Sequence, residues 1–173
     1  MTFAPDHDTP IPYMQRTRDY YLKLGYDNPY RWAHFTDAPF TPLARPLAET
    51  RLALITTAAP YQPDVGDQGP GARYNAAAKF YEVYSDSTDS VPDLRISHVG
   101  YDRKHTTAED PNTWFPLTRL HEAVKAGRLG ALTPRFHGAP TNRSHRVTTE
   151  TDAPELLRRC REDAADAVLL VPS

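Results

Sequence analysis

The sequence predicts an α/β domain, with a mostly parallel or mixed sheet that carries helices on both faces and looks incomplete. Three observations lead there. The run Arg51–Thr57 is short and mostly apolar and Ala167–Val171 wholly so, as in buried strands. Segments with apolar residues three and four apart, the spacing of one helix face, lie between them. The order strand, helix, strand then favours parallel pairing, because a crossover helix returns the chain to the same end of the sheet.

The elements follow in order. Met1–Pro12 is rich in Pro, Asp and Thr and lacks apolar periodicity, which predicts an extended arm ahead of a single α/β domain over Tyr13–Ser173. Tyr13–Phe35 is dense in aromatic residues; Tyr13–Leu24 suits a helix stopped by Gly25, and the prolines from Pro39 to Pro46 favour extended chain. Its rings either cover the edge of a core or meet a second subunit. After the first strand, Ala58–Gly71 holds three prolines and three glycines, which predicts an irregular surface or active-site flap.

Leu94–Val99 alternates and reads as a strand. Pro116–Ala126 reads as a helix with Leu117, Leu120 and Val124 on one face and Gly127 as its stop. Leu129–Phe136 reads as a further strand. Asp152 and Glu155 have the spacing of a capping box, opening a helix with Leu156, Leu157, Cys160 and Ala164 inward. Cys160 is then a core residue; the redox alternative rests on the neighbouring Arg158, Arg159 and Arg161. Ala167–Val171 is a buried last strand.

Composition narrows the function. The 173 residues suit one domain, and a formal charge of −2 leaves no basic excess for nucleic acid or an anionic membrane. No apolar run reaches the roughly 20 residues that span a bilayer, and the amino terminus lacks the pattern of a secretion signal, which places the protein in the cytoplasm. A single cysteine excludes internal disulfides and multi-cysteine zinc clusters. His98, His105, His137 and His145 lack the compact spacing of a zinc motif, so no metal is expected.

Candidate site residues come from loops at the carboxyl ends of strands, where open α/β sheets bind ligands. The loop after Leu94–Val99 holds His98, Tyr101, Asp102, His105, Asp110 and Asn112. Asp102 and Asp110 either hold a substrate ammonium or orient His105, or else serve as turn and cap residues. Thr56 and Thr57 end the first strand and either bind a carboxylate or satisfy nearby backbone groups. The last strand is followed only by Pro172 and Ser173, which reads equally as a chain cut at a site or as a legitimate carboxyl-terminal strand, and a bare sheet edge favours a homo-oligomer.

A series of segments, in register, resembles a known family. It includes Tyr13-Met14-Gln15-Arg16-Thr17-Arg18-Asp19-Tyr20-Tyr21, Pro29-Tyr30-Arg31-Trp32-Ala33 and Leu52-Ala53-Leu54-Ile55-Thr56-Thr57-Ala58-Ala59-Pro60. Later come His98-Val99-Gly100-Tyr101-Asp102, Phe115-Pro116-Leu117 and Gly127-Arg128-Leu129-Gly130. The series is similar to the selenoprotein B type subunits of the glycine, sarcosine, betaine and D-proline reductases. The resemblance implies reductive cleavage of a carbon–heteroatom bond in a small amine or amino-acid-like substrate, alongside a partner reductase subunit. It also implies a selenocysteine or cysteine following Ser173, which leaves no catalytic residue in this chain, and a pyruvoyl group on a partner as the activating carbonyl. A different class of function, a non-catalytic module that docks to a partner, stands beside it.

Overall fold

The computed structural model describes residues 10–66, 68–141 and 143–173, so most of the expected arm, Met1–Pro12, lies outside the described residues. The chain divides into two compact units, 1–38 and 39–173.

In the first unit, helix α1 (Tyr13–Lys23) ends at Leu24, and Gly25 adopts φ +86°, the left-handed turn that the sequence suggested. α1 buries none of its residues. Its rings pack on one another instead: Tyr21 contacts Tyr26 and Tyr30, Tyr30 lies edge-on to Trp32, and Arg18 sits over the Trp32 ring.

The second unit is built on strand β1 (Arg51–Thr56). β1 pairs in parallel with β7 (Ala167–Val171) along Leu52–Thr56. Its first half also pairs with β5 (Ala131–Leu132), and its second half with β6 (Arg135–Gly138). Because β7 occupies one edge over the full length, β5 and β6 share the other. β3 (Tyr84–Ser87) adds an antiparallel strand outside β6. A small second sheet pairs β2 (Ala59–Pro60) with β4 (Leu94–Arg95), also antiparallel.

Alternation along β1 assigns the two faces. Leu54 faces a core of Phe136, Leu94, Ile96, Trp114, Phe115 and Leu117, the last on helix α2 (Leu117–Lys125). Ala53 and Ile55 face the other way, onto Cys160 and Leu156 of helix α4 (Ala153–Glu162). Helices thus cover both faces, and the mixed sheet is the α/β architecture that the sequence predicts.

Five local expectations need correction. Leu94–Val99 forms a strand only at Leu94–Arg95, because Ile96 turns to exchange hydrogen bonds with Arg73 and Asn75. Ala58–Gly71 includes β2, and the loop is pinned down: the buried Arg95 donates to Gly69 O at 2.7 Å, and the Gly71 amide donates to Asp93. Leu129–Phe136 is split at Thr133–Pro134, where the proline has no N–H to offer a ladder, and pairing resumes as far as Gly138.

The fourth concerns Asp152, which does not cap a helix. A helical stretch already begins with α3 (His145–Val147), capped by Ser144, and passes through a π-helical turn at Thr148–Asp152. Asp152 is buried within it and accepts from Arg143 at 3.0 Å. The inward stripe is therefore Asp152, Leu156, Cys160 and Asp163, while Leu157 is half exposed and Ala164 lies past the helix end at φ +53°. Last, β7 is an edge strand of the described chain: Leu169 and Val171 pack on the core, but Val168 and Leu170 are exposed.

Candidate functional site

Strands β1, β6 and β7 run parallel and release their chains at the same end of the sheet. At that end the Thr57 hydroxyl oxygen accepts the Ser173 amide at 2.7 Å and lies 3.1 Å from the Ser173 carbonyl oxygen, so it ties the outgoing ends of β1 and β7 together. Thr56 turns inward, and its hydroxyl accepts the Ala58 amide at 3.1 Å. The Tyr84 hydroxyl donates to the Ala58 carbonyl at 2.6 Å, and its ring lies over Gly138 at the end of β6. Burial pushes the Tyr84 phenol well above its ordinary range, so it stays a neutral donor.

β4 runs back against β2, which brings Ser97 and His98 toward the end of β1. There Lys79 donates from Nζ to the Ser97 carbonyl at 2.8 Å. Partial burial lowers the Lys79 pKa. The half-buried His98 is lowered too, first by burial and then by the Lys79 charge. His98 Nδ1 accepts the Gly100 amide at 3.2 Å, which fixes the ring orientation. The two nitrogen bases are close enough for the Lys79 charge to act on His98, while the Ser97 carbonyl satisfies the Lys79 ammonium.

The rest of the loop forms local pairs. Asp102 accepts from the Lys104 and His105 amides at 3.2 Å and meets His105 Nδ1 at 2.8 Å, so it is both a turn residue and an orienting partner for His105. Asp110 caps a short 3₁₀ turn by accepting from the Asn112 amide and side chain at 2.9 and 2.7 Å. Those bonds hold its carboxyl below the usual range. Asn112 in turn accepts from the Arg119 amide. Tyr101 lies edge-on to Tyr74 and packs against the core.

Lys79 and Tyr84 escape a motif search because they lie in Ala76–Tyr84, which has no clean period; a lone lysine among Ala and aromatic residues was the available signal. Cys160 is buried, and burial followed by the Asp163 charge raises its thiol pKa, which opposes thiolate formation despite the flanking arginines.

A second polar cluster lies beneath α4. Arg135 holds Asp163 at 2.8 Å, Ser85 Oγ meets His137 Nδ1 at 2.8 Å, and Arg159 donates to the same Oγ at 2.8 Å. His137 Nε2 is 3.4 Å from Asp163 Oδ2 but lacks hydrogen-bond geometry. Burial keeps that imidazole below its usual range despite the opposing Asp163 charge, so it is neutral and the contact is not an ion pair. Ser, His and Asp occur here in series. Ser85, however, is held by Arg159, and it lies with His137 one residue in from the carboxyl edge where Tyr84 meets Gly138. At the opposite, amino end of the sheet, a cleft of about 510 Å³ is lined by Arg45, Glu49, Arg51 and Asp166, whose charges are partly spent on one another.

The fold and the placement of these groups define the class: an open α/β domain whose polar residues gather at the carboxyl edge of its parallel strands. Comparison with known proteins is more specific. Residues 24–173 match the family of the glycine/sarcosine/betaine reductase selenoprotein B, and the chain belongs to that family. It is 30% identical over 134 residues to the D-proline reductase subunit gamma of Acetoanaerobium sticklandii, a match covering 76% of this chain and 52% of that protein. The chain thus spans about half the length of the relative it matches. No solved structure matches it. Among the described residues no helix is long and apolar enough to cross a membrane.

Proposed function

We propose that this chain forms the amino-terminal part of a selenoprotein B type reductase subunit, which reductively cleaves a carbon–heteroatom bond of a small amine or amino-acid-like substrate. The carboxyl edge of the sheet is the reaction end. A selenocysteine or cysteine placed beyond Ser173 would supply the selenolate or thiolate that attacks the substrate carbon and displaces its nitrogen, held by a carbonyl group of a partner subunit. A second thiol would then take the selenium or sulfur off carbon as a selenenyl sulfide or disulfide, with a proton going to carbon and a thiol reductant restoring the pair. Lys79 and His98 receive the substrate carboxylate, and Asp102 with His105 serves the amine.

The observation that carries the reading is the tie between Thr57 and Ser173, which holds the outgoing end of β7 beside that of β1 in a chain of this family. Cys160 does not supply the nucleophile, because it is buried and its thiolate is disfavoured. The test has two arms. Purified 173-residue chain with dithiothreitol and D-proline or glycine should show no reduction. The coding sequence read past Ser173 should contain a selenocysteine codon or a cysteine. Turnover by the 173-residue chain, or a downstream sequence encoding neither residue, would refute the proposal.

A docking role, including homo-oligomer formation, is favoured by one specific observation, the exposed Val168 and Leu170 on β7.

A further inference from the structure

β7 is bare in two directions. One long edge pairs with β1, and among the described residues nothing pairs with the other. On the α4 face Val168 and Leu170 are 43% and 68% exposed, and Leu157 of α4, at 50%, adds a third apolar side chain. On the opposite face Leu169 and Val171 already pack against the core. The unsatisfied surface is therefore one edge and one face, which meet along a single strand.

Connection handedness says what fits. The crossover from β6 to β7 passes over β1 and carries α4 on the face of Ala53 and Ile55. Parallel crossovers are right-handed in about 98% of cases, so a further step outward from β7 in the same direction returns its helix on the same face. That is the face where Val168 and Leu170 lie open. A second copy pairing edge to edge through a twofold axis would run antiparallel, and it would bring a strand without the covering helix.

We propose that the β7 edge and the Val168–Leu170–Leu157 face are the seat of one further parallel strand and its crossover helix. The occupant is the portion of a selenoprotein B type subunit that this chain does not span. The helix lies beside α4 over the three apolar residues, and the strand takes up the unpaired backbone of β7. The match to only 52% of the D-proline reductase subunit gamma provides for such a portion. This inference rests on the family reading but not on the reaction.

The test mixes the 173-residue chain with a separate polypeptide covering the part of the D-proline reductase subunit gamma that lies outside the 52% matched by this chain. Light scattering should show a one-to-one complex, and amide exchange along Val168–Val171 should slow on mixing. Leu170→Asp should leave the circular dichroism spectrum unchanged, because the side chain is exposed, yet weaken the complex more than about tenfold, since an apolar contact is replaced by a desolvated charge. Absence of a complex, or protection of β7 that appears equally in the chain alone through self-association, would overturn the proposal. No D-proline reduction is expected of this mixture, which lacks the partner subunit's carbonyl group, so a complex without turnover supports the interface and leaves the test of the reaction to the two arms given above.

Discussion

Gly138 offers the sharpest test of how the carboxyl edge is packed. A Cβ built on Gly138 would fall 1.8 Å from Tyr84 Cε1 and 2.3 Å from Cδ1 and Cζ, against an optimal carbon–carbon separation of about 3.5–4.0 Å. The ring would have to retreat by roughly 1.5–2 Å. It cannot do so cheaply: Phe80 and Phe136 lie edge-on at centroid distances of 5.2 and 6.0 Å, and the hydroxyl is tied to Ala58 O. Overpacking costs about 1–3 kcal/mol, and expulsion of a large buried aromatic costs about 3–5 kcal/mol. Against this, replacing Gly by Ala in extended backbone gains only about 0.5–1 kcal/mol through the unfolded chain. Gly138→Ala should therefore destabilise by about 3 kcal/mol, seen as a lower urea midpoint at unchanged slope. In a Tyr84→Ala background the same change should be nearly neutral, giving a coupling of more than about 2 kcal/mol. A Gly138→Ala protein within about 1 kcal/mol of the parent would show that the ring does not occupy this place.

Other predictions follow the same contacts. Thr57→Val removes the acceptor of the Ser173 amide, and should cost about 1 kcal/mol while speeding exchange of that amide; unchanged exchange would dissociate Thr57 from the end of β7. Burial lowers the pKa of both His98 and His137, so the unfolded chain binds more protons near pH 6 than the folded one. Stability should therefore be full above about pH 6.5 and fall as the pH drops below it, and His137→Gln should flatten the slope; stability rising toward pH 5.5 would contradict neutral buried imidazoles. Cys160 should ignore a thiol reagent such as dithionitrobenzoate in the native state and react fully in urea; rapid native labelling would restore the redox alternative.

The legible parts of the fold were those where one physical signal dominates. Arg51–Thr56 was readable because burial on both faces demands a strand-length apolar run; Ala167–Val171 carries such a run too, although only one of its faces is buried, so its existence was legible and its burial was not. α1 and α2 were readable because Gly25 and Gly127 take positive φ at their ends. β3 was not, since Tyr84–Ser87 pairs only with β6 and shows mixed exposure, with nothing strand-like in its composition beyond Tyr84. The start of the last helical stretch was misplaced because Asp152 has a capping residue's identity but answers to Arg143, nine positions earlier. Sequence spacing does not register such a partner.

The candidate site divides along the same line. Asp110 and Asn112 satisfy each other within two residues, so their pattern encodes a turn whether or not a substrate is ever present. Thr57 differs, because its partner is 116 positions away and the bond exists only once β1 and β7 are side by side. Lys79 and His98 differ too: each has its charged form disfavoured where it stands, although a surface position would have cost nothing. At the carboxyl edge the Ser97 carbonyl accepts from the Lys79 ammonium, and the Lys79 charge acts in turn on His98. The Lys79–His98 contact, like that of Thr57, joins residues far enough apart in sequence that only the fold brings them together, unlike the acid-rich turn.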